Sequence, residues 1–127
     1  MESNRSRLFL ILSAVFAFLA VAFGAFGSHS LKAILEPNML AVFETGVRYQ
    51  MYHALALLFI GWACQQFPQA SFHIAGWLFA VGIVLFSGSL YALTLSGVRW
   101  LGAITPLGGV CFLAGWGTVA WQAFKQR

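Results

Sequence analysis

Few side chains in this sequence are equipped for chemistry, and most of them fall between Gly24 and Leu57. The first part reads Gly24-Ala-Phe-Gly-Ser-His-Ser-Leu31. After a short connection the second reads Thr45-Gly-Val-Arg-Tyr-Gln-Met-Tyr-His-Ala-Leu55. On a helix, residues four apart stack on one face, which gives two stripes: Glu44, Arg48 and Tyr52, and beside it Thr45, Tyr49 and His53. Arg48 stays charged at any relevant pH and needs an acceptor, either Glu44 one turn back or a bound anion or headgroup. Ionisable groups inside a membrane span usually face the bundle interior or a cavity. His29, Arg48, Tyr49 and His53 are therefore expected to form one hydrogen-bonded group, with Glu44, Tyr52, Ser87 and Tyr91 as the remaining members of a polar cluster.

The same inventory excludes several chemistries. There is no Asp, and the only carboxylates are Glu2, Glu36 and Glu44. No Gly-rich phosphate loop and no nucleophile elbow is present, so no catalytic residue is assigned. An ion-coupled carrier normally needs an acid within the membrane, and none lies deep in an apolar run. Cys64 and Cys111 sit in apolar runs with no CxxC pair and no His at ligand spacing, so they read as small hydrophobes and no metal or cofactor is expected. Two rival readings stay open. His29 and His53 could be axial ligands of a b-type haem, or line a quinone site. Alternatively, His29, Arg48 and His53 could line a path through an oligomeric transporter or channel.

The elements that must position these residues follow from composition. Of 127 residues, 61% are hydrophobic and 8% charged. A water-soluble domain carries about 25% charged residues, so this surface cannot face water all round. Only helices or closed barrels span lipid, and the long apolar runs without strict alternation select helices. The expected fold is all-α, a single transmembrane domain over 1–127: an up-down-up-down four-helix bundle with spans at about 8–27, 37–65, 72–95 and 101–124. Pro106 either opens the last helix or kinks a longer one. Gly46 is a candidate bend in the second.

The net charge of +4 reflects flanking residues rather than a nucleic-acid surface. Arg5 and Arg7 precede the first run, and Lys125 and Arg127 follow the last. Against them stand Lys32, Arg48 and Arg99, so a narrow basic majority places both termini in the cytoplasm. In this topology the polar positions of all four helices meet in the non-cytoplasmic half. The small residues Gly24, Gly27, Ser28, Gly88, Gly108 and Gly109 are expected at helix–helix contacts there. Tyr91 and Trp100 suit an interfacial belt; Trp62, Trp77, Trp116 and Trp121 either anchor the other interface or pack.

Four segments carry a resemblance: the Gly24–Leu31 and Thr45–Leu55 stretches already quoted, Leu85-Phe-Ser-Gly-Ser-Leu-Tyr91, and Thr105-Pro-Leu-Gly-Gly109 followed by Ala114-Gly-Trp116. Together they resemble the YgdD/YwdK-like family of small, uncharacterised bacterial inner-membrane proteins, which has a short eukaryotic transmembrane relative. Ser28 stands where the family pattern usually has Ala, a small-for-small exchange. The resemblance implies a multi-pass, four-helix protein of the bacterial inner membrane. It supplies no substrate, cofactor or catalytic role. The functional expectation is a non-enzymatic membrane protein whose polar cluster binds a lipid headgroup, a small ligand or a partner helix. Its partners would be membrane lipid and either a second copy or another membrane protein.

Overall fold

The computed structural model describes residues 2–126, so the flanking Arg127 lies outside the described residues. Among these the chain is all-helical, without strands. Helix α1 spans Glu2–His29 and α2 Pro37–Gln66. A third rod is built from α3 (Phe72–Gly82) and α4 (Gly88–Ser96), joined through a π-helical turn at Ile83–Ser87. Helix α5 spans Thr105–Lys125. Short 3-10 turns at Leu31–Ala33 and Arg99–Ala103 complete the two connections at one end of the bundle.

Local chemistry sets the boundaries. Pro37 occupies the first turn of α2, where its missing N–H is not needed. Gly97 ends α4 at φ 76, a left-handed conformation that glycine enters without a Cβ penalty, and its N–H returns to Leu93 O at 2.8 Å. Pro106 opens α5 rather than kinking it. The expected start near 101 is thus corrected, because Arg99–Ala103 forms a separate 3-10 turn. Helix α1 starts earlier than the apolar run, at Glu2, and α2 passes Gly46 unbroken.

Three helical stretches are long and apolar enough to cross a membrane: Asn4–Ala33, Phe72–Ser96 and Arg99–Lys125. Helix α2, 30 residues long, does not qualify by composition. Of the four spans expected from the sequence, three are thus supported by apolar composition, and α2 falls short because of its position. Helix α2 packs against α1 and the third rod, and it turns Gln50 and His53 inward, 2% and 4% exposed. Polarity that would be costly against lipid is satisfied against neighbouring helices.

The contacts between α1 and α2 occur in reverse chain order. Ser6 Oγ donates to Gly61 O at 2.7 Å, Ser13 Oγ to Ala54 O at 2.7 Å, and Gln50 Nε2 to Phe16 O at 2.8 Å. The core gathers Phe9, Leu57, Ile60, Phe72, Phe79 and Phe112 from all the rods. At the end of the bundle where α1 begins and α5 ends, Arg5 donates to His73 Nδ1 at 3.2 Å, and the Ser71 N–H donates to Gln122 Oε1 at 3.1 Å. The outward faces carry large apolar side chains such as Phe18, Val21, Leu55, Val84 and Leu113. Lipid tails are as apolar as these groups, so the helices associate through close packing and interhelical hydrogen bonds.

Glycine opposite aromatic rings provides that packing. Gly27 lies against Phe43, Gly76 against Phe9, Gly82 against Phe112 and Gly115 against Phe79. Gly108 is the tightest of these positions: a Cβ there would fall on the backbone of Phe86, inside the π turn. Gly24 has room, with Val47 at 3.4 Å. Two expected contacts are corrected. At Gly88 and Gly109 a Cβ would enter open space, with nothing within 4 Å. Ser28 is exposed rather than packed.

Gly108→Ala is therefore expected to cost about 1–3 kcal/mol, as overpacking against rigid backbone does. Gly109→Ala and Gly88→Ala should leave stability nearly unchanged. Thermal unfolding in detergent checks the ranking, and equal losses for Gly108→Ala and Gly109→Ala would refute it.

Candidate functional site

Helix α2 carries almost all the polar chemistry, and its neighbours divide that chemistry into three parts. The first is structural. The Gln50 amide donates through Nε2 to Phe16 O on α1, and its Oε1 accepts from the Tyr91 hydroxyl of α4 at 2.6 Å. One side chain thereby ties three helices. Ser87, fully buried in the π turn, donates to Gly46 O at 2.6 Å. The Tyr91 ring lies edge-on to Phe23 at 5.1 Å and tilted on Phe43 at 5.0 Å. Ser87 and Tyr91 thus face α2 and lock it in place. Sequence reasoning missed Gln50. The available signal was that it is the one amide between Tyr49 and Cys64, in an uncharged run where an unpartnered amide would be expensive.

The second part is His53. Its Nε2 lies 3.0 Å from Trp116 Nε1 of α5, and its Nδ1 lies 2.8 Å from Tyr49 O. An indole N–H can only donate, so Nε2 must be the unprotonated acceptor. Nδ1 then carries the proton and donates to the carbonyl one turn back. His53 is accordingly a neutral imidazole with both nitrogens engaged. Its ring stacks on Phe112 at 3.6 Å and 6°. Trp116, which the sequence left between anchoring and packing, is its hydrogen-bond partner. Binding haem iron would require breaking that bond. Tyr49, His53, Phe86, Pro106, Phe112 and Trp116 surround a groove of about 410 Å³, kept open where Gly109 has no side chain.

The third part is Arg48. It is exposed, and its Nη2 donates to Thr45 Oγ1 at 3.3 Å rather than to Glu44. Glu44 is half-buried and lines, with Arg48, a groove of about 280 Å³ between α1 and α2. The opposite wall is Gly24, Gly27 and Ser28.

The four-residue group expected from sequence does not form. Arg48 and His53 are five residues apart, about 140° around the helix axis, so they open onto different neighbours. His29 is exposed at the end of α1. Tyr49 contributes its carbonyl to His53 and its ring to Phe86 at 4.8 Å. Tyr52 is 54% exposed, edge-on to Tyr49 at 5.5 Å. Among the described residues, no three His, Cys, Asp or Glu side chains converge as a metal site would require, and Cys64 and Cys111 are unpaired.

Comparison with known proteins adds a family. Residues 23–109 match the family model described as "Protein of unknown function (DUF423)". The chain is 47% identical over 120 residues to the UPF0382 membrane protein YwdK of Bacillus subtilis (strain 168), covering 94% of this chain and 98% of the relative. It is 45% identical over 119 residues to the UPF0382 membrane protein SH2409 of Staphylococcus haemolyticus, covering 94% and 97%. It is 44% identical over 122 residues to the UPF0382 inner membrane protein YgdD of Escherichia coli (strain K12), covering 96% and 93%. No solved structure matches.

The Gln50 junction yields a stability prediction. Tyr91→Phe removes one interhelical bond, worth on the order of 0.6–1.5 kcal/mol in a membrane protein. Gln50→Leu also strands the Tyr91 hydroxyl and should cost more, about 1–3 kcal/mol. The double variant should then lose less than the sum of the two. Chemical unfolding in mixed micelles gives the cycle, and strict additivity would contradict the shared junction.

Proposed function

The chain belongs to the DUF423 family of membrane proteins, and on that basis we propose that it is a non-enzymatic, multi-pass inner-membrane protein that holds a lipid headgroup in the Arg48 groove. The observation that carries this reading is the state of Arg48. It is a permanently charged side chain with one long bond to a hydroxyl, exposed beside an open groove with a glycine wall. A guanidinium presents five donors in a planar fork suited to phosphate. Depth supports the assignment. The segment from Tyr49 to Gln66 rises about 27 Å, close to the hydrocarbon thickness, so Arg48 falls at its edge. Against enzymology stands the engagement of the other polar groups. Gln50, Ser87, Tyr91 and His53 are bonded across helices and do not converge on an open point.

We infer the topology as well. All four rods cross, α2 included, in an up-down-up-down order, and both termini lie in the cytoplasm. Arg5, Arg7 and Lys125 on the terminal side, together with Arg127, support that orientation over Lys32, Arg48 and Arg99 on the other. Periplasm- and cytoplasm-specific reporters fused after Arg127 and within the Ser30–Glu36 connection should report opposite sides, with the C-terminal fusion cytoplasmic. A periplasmic C-terminus would reverse the orientation. For the groove, native mass spectrometry of the purified protein should show retained phospholipid. Arg48→Gln should weaken retention about tenfold or more, the scale of one charge-assisted bond, while Arg99→Gln leaves it unchanged. Equal retention in both variants would remove the headgroup assignment.

A further inference from the structure

The same groove carries a second charge, and it bears on which lipid is held. We propose that the headgroup is zwitterionic with a primary ammonium, of the phosphoethanolamine class, its phosphate on Arg48 and its ammonium on Glu44; this rests on the headgroup reading above.

Glu44 and Arg48 line one groove from the same helix, one turn apart, yet Arg48 donates to Thr45 and not to Glu44. An ion pair between neighbours at this spacing is ordinary on a helix surface. Its absence here leaves a cation and a carboxylate side by side, each facing the cavity. Such a site is dipolar. A purely anionic headgroup would satisfy Arg48 while bringing its negative charge toward a half-buried carboxylate, where like charges repel strongly near low-dielectric walls. A phosphoethanolamine group offers both signs, held apart by a two-carbon bridge. Side chains one turn apart have Cβ atoms separated by about 5–6 Å, a spacing such a headgroup can bridge.

The primary amine matters as well as the charge. An ammonium has three N–H donors, and a carboxylate is satisfied by accepting them at short range. A trimethylammonium has none, so a choline headgroup would leave Glu44 without a hydrogen bond and place bulky methyl groups against it. The volume of about 280 Å³ fits a headgroup rather than a whole lipid. Its small wall at Gly24, Gly27 and Ser28 leaves that space unfilled. The acyl chains would continue along the exposed apolar face of α1 at Phe18 and Val21.

The test uses the full chain in micelles equilibrated with an equal mixture of phosphatidylethanolamine, phosphatidylcholine and phosphatidylglycerol. Retained lipid is read by native mass spectrometry. The wild-type chain should retain phosphatidylethanolamine over each of the other two by about tenfold, the factor one charge-assisted bond supplies. Glu44→Gln should abolish that preference and shift retention toward phosphatidylglycerol, while Arg48→Gln weakens retention of all three. The wild-type ratio tests the headgroup class without depending on the folding of any variant, and the variants place that preference in this groove. Equal retention of the three lipids, lowered by Arg48→Gln, would overturn the zwitterionic assignment and leave the headgroup reading standing. Retention unaffected by Arg48→Gln would overturn both.

Discussion

A bilayer core contains no water, so each polar group that enters it must find its partner inside the protein. That constraint organises this bundle around Gln50. Its amide reaches α1 through Phe16 O and α4 through the Tyr91 hydroxyl, and Ser87 reinforces the same contact by donating to Gly46 O. These bonds fix the rotation of α2 about its axis. Once that rotation is set, His53 must face α5, and Arg48 must face the groove beside α1. The candidate site is thus a consequence of how the interior polar groups are satisfied.

Close packing acts on the same parts of the chain. Gly108 meets the backbone of Phe86 where the third rod adopts its π turn, and Ser87 in that turn supplies the bond to α2. Irregular helix geometry in a membrane is tolerated where it is buried in protein and its groups are re-satisfied. Here the irregular turn is held from both sides, by a hydroxyl bond to α2 and by a missing side chain on α5. On the far side of α2, the aromatic rings of Phe79, Phe112 and Trp116 surround His53 and keep it neutral through the indole donor. Polar specificity and apolar packing therefore meet in one crossing region.

The two grooves flanking α2 differ in kind. The one facing α5 is aromatic, and its histidine has both nitrogens engaged. The one facing α1 is lined by a guanidinium with no carboxylate partner and by a carboxylate. Charge that is not consumed internally is what remains for an external partner, which is why the second groove and not the first is assigned a ligand.

The class of fold is legible in the residues alone. Apolar runs near the hydrocarbon thickness, separated by Pro-, Gly- and Ser-containing connections, leave helices as the only way to satisfy the backbone, and the helix limits at Pro37 and Gly97 are written in residue chemistry, whereas Pro106 alone is compatible with both an opening and a kink and only the structure places it at the start of α5. The chemistry can be located on α2 in the same way, because charges are rare in such a chain. What stays undetermined at that level is rotation. Stacking at four-residue spacing says which side chains share a stripe, but not which neighbour the stripe faces. Helix packing separates Arg48 from His53, gives His53 to Trp116, makes Gln50 the central junction, and chooses Gly108 over Gly109 as the contact. Each of those outcomes depends on crossing geometry between helices distant in sequence, and no local pattern encodes it.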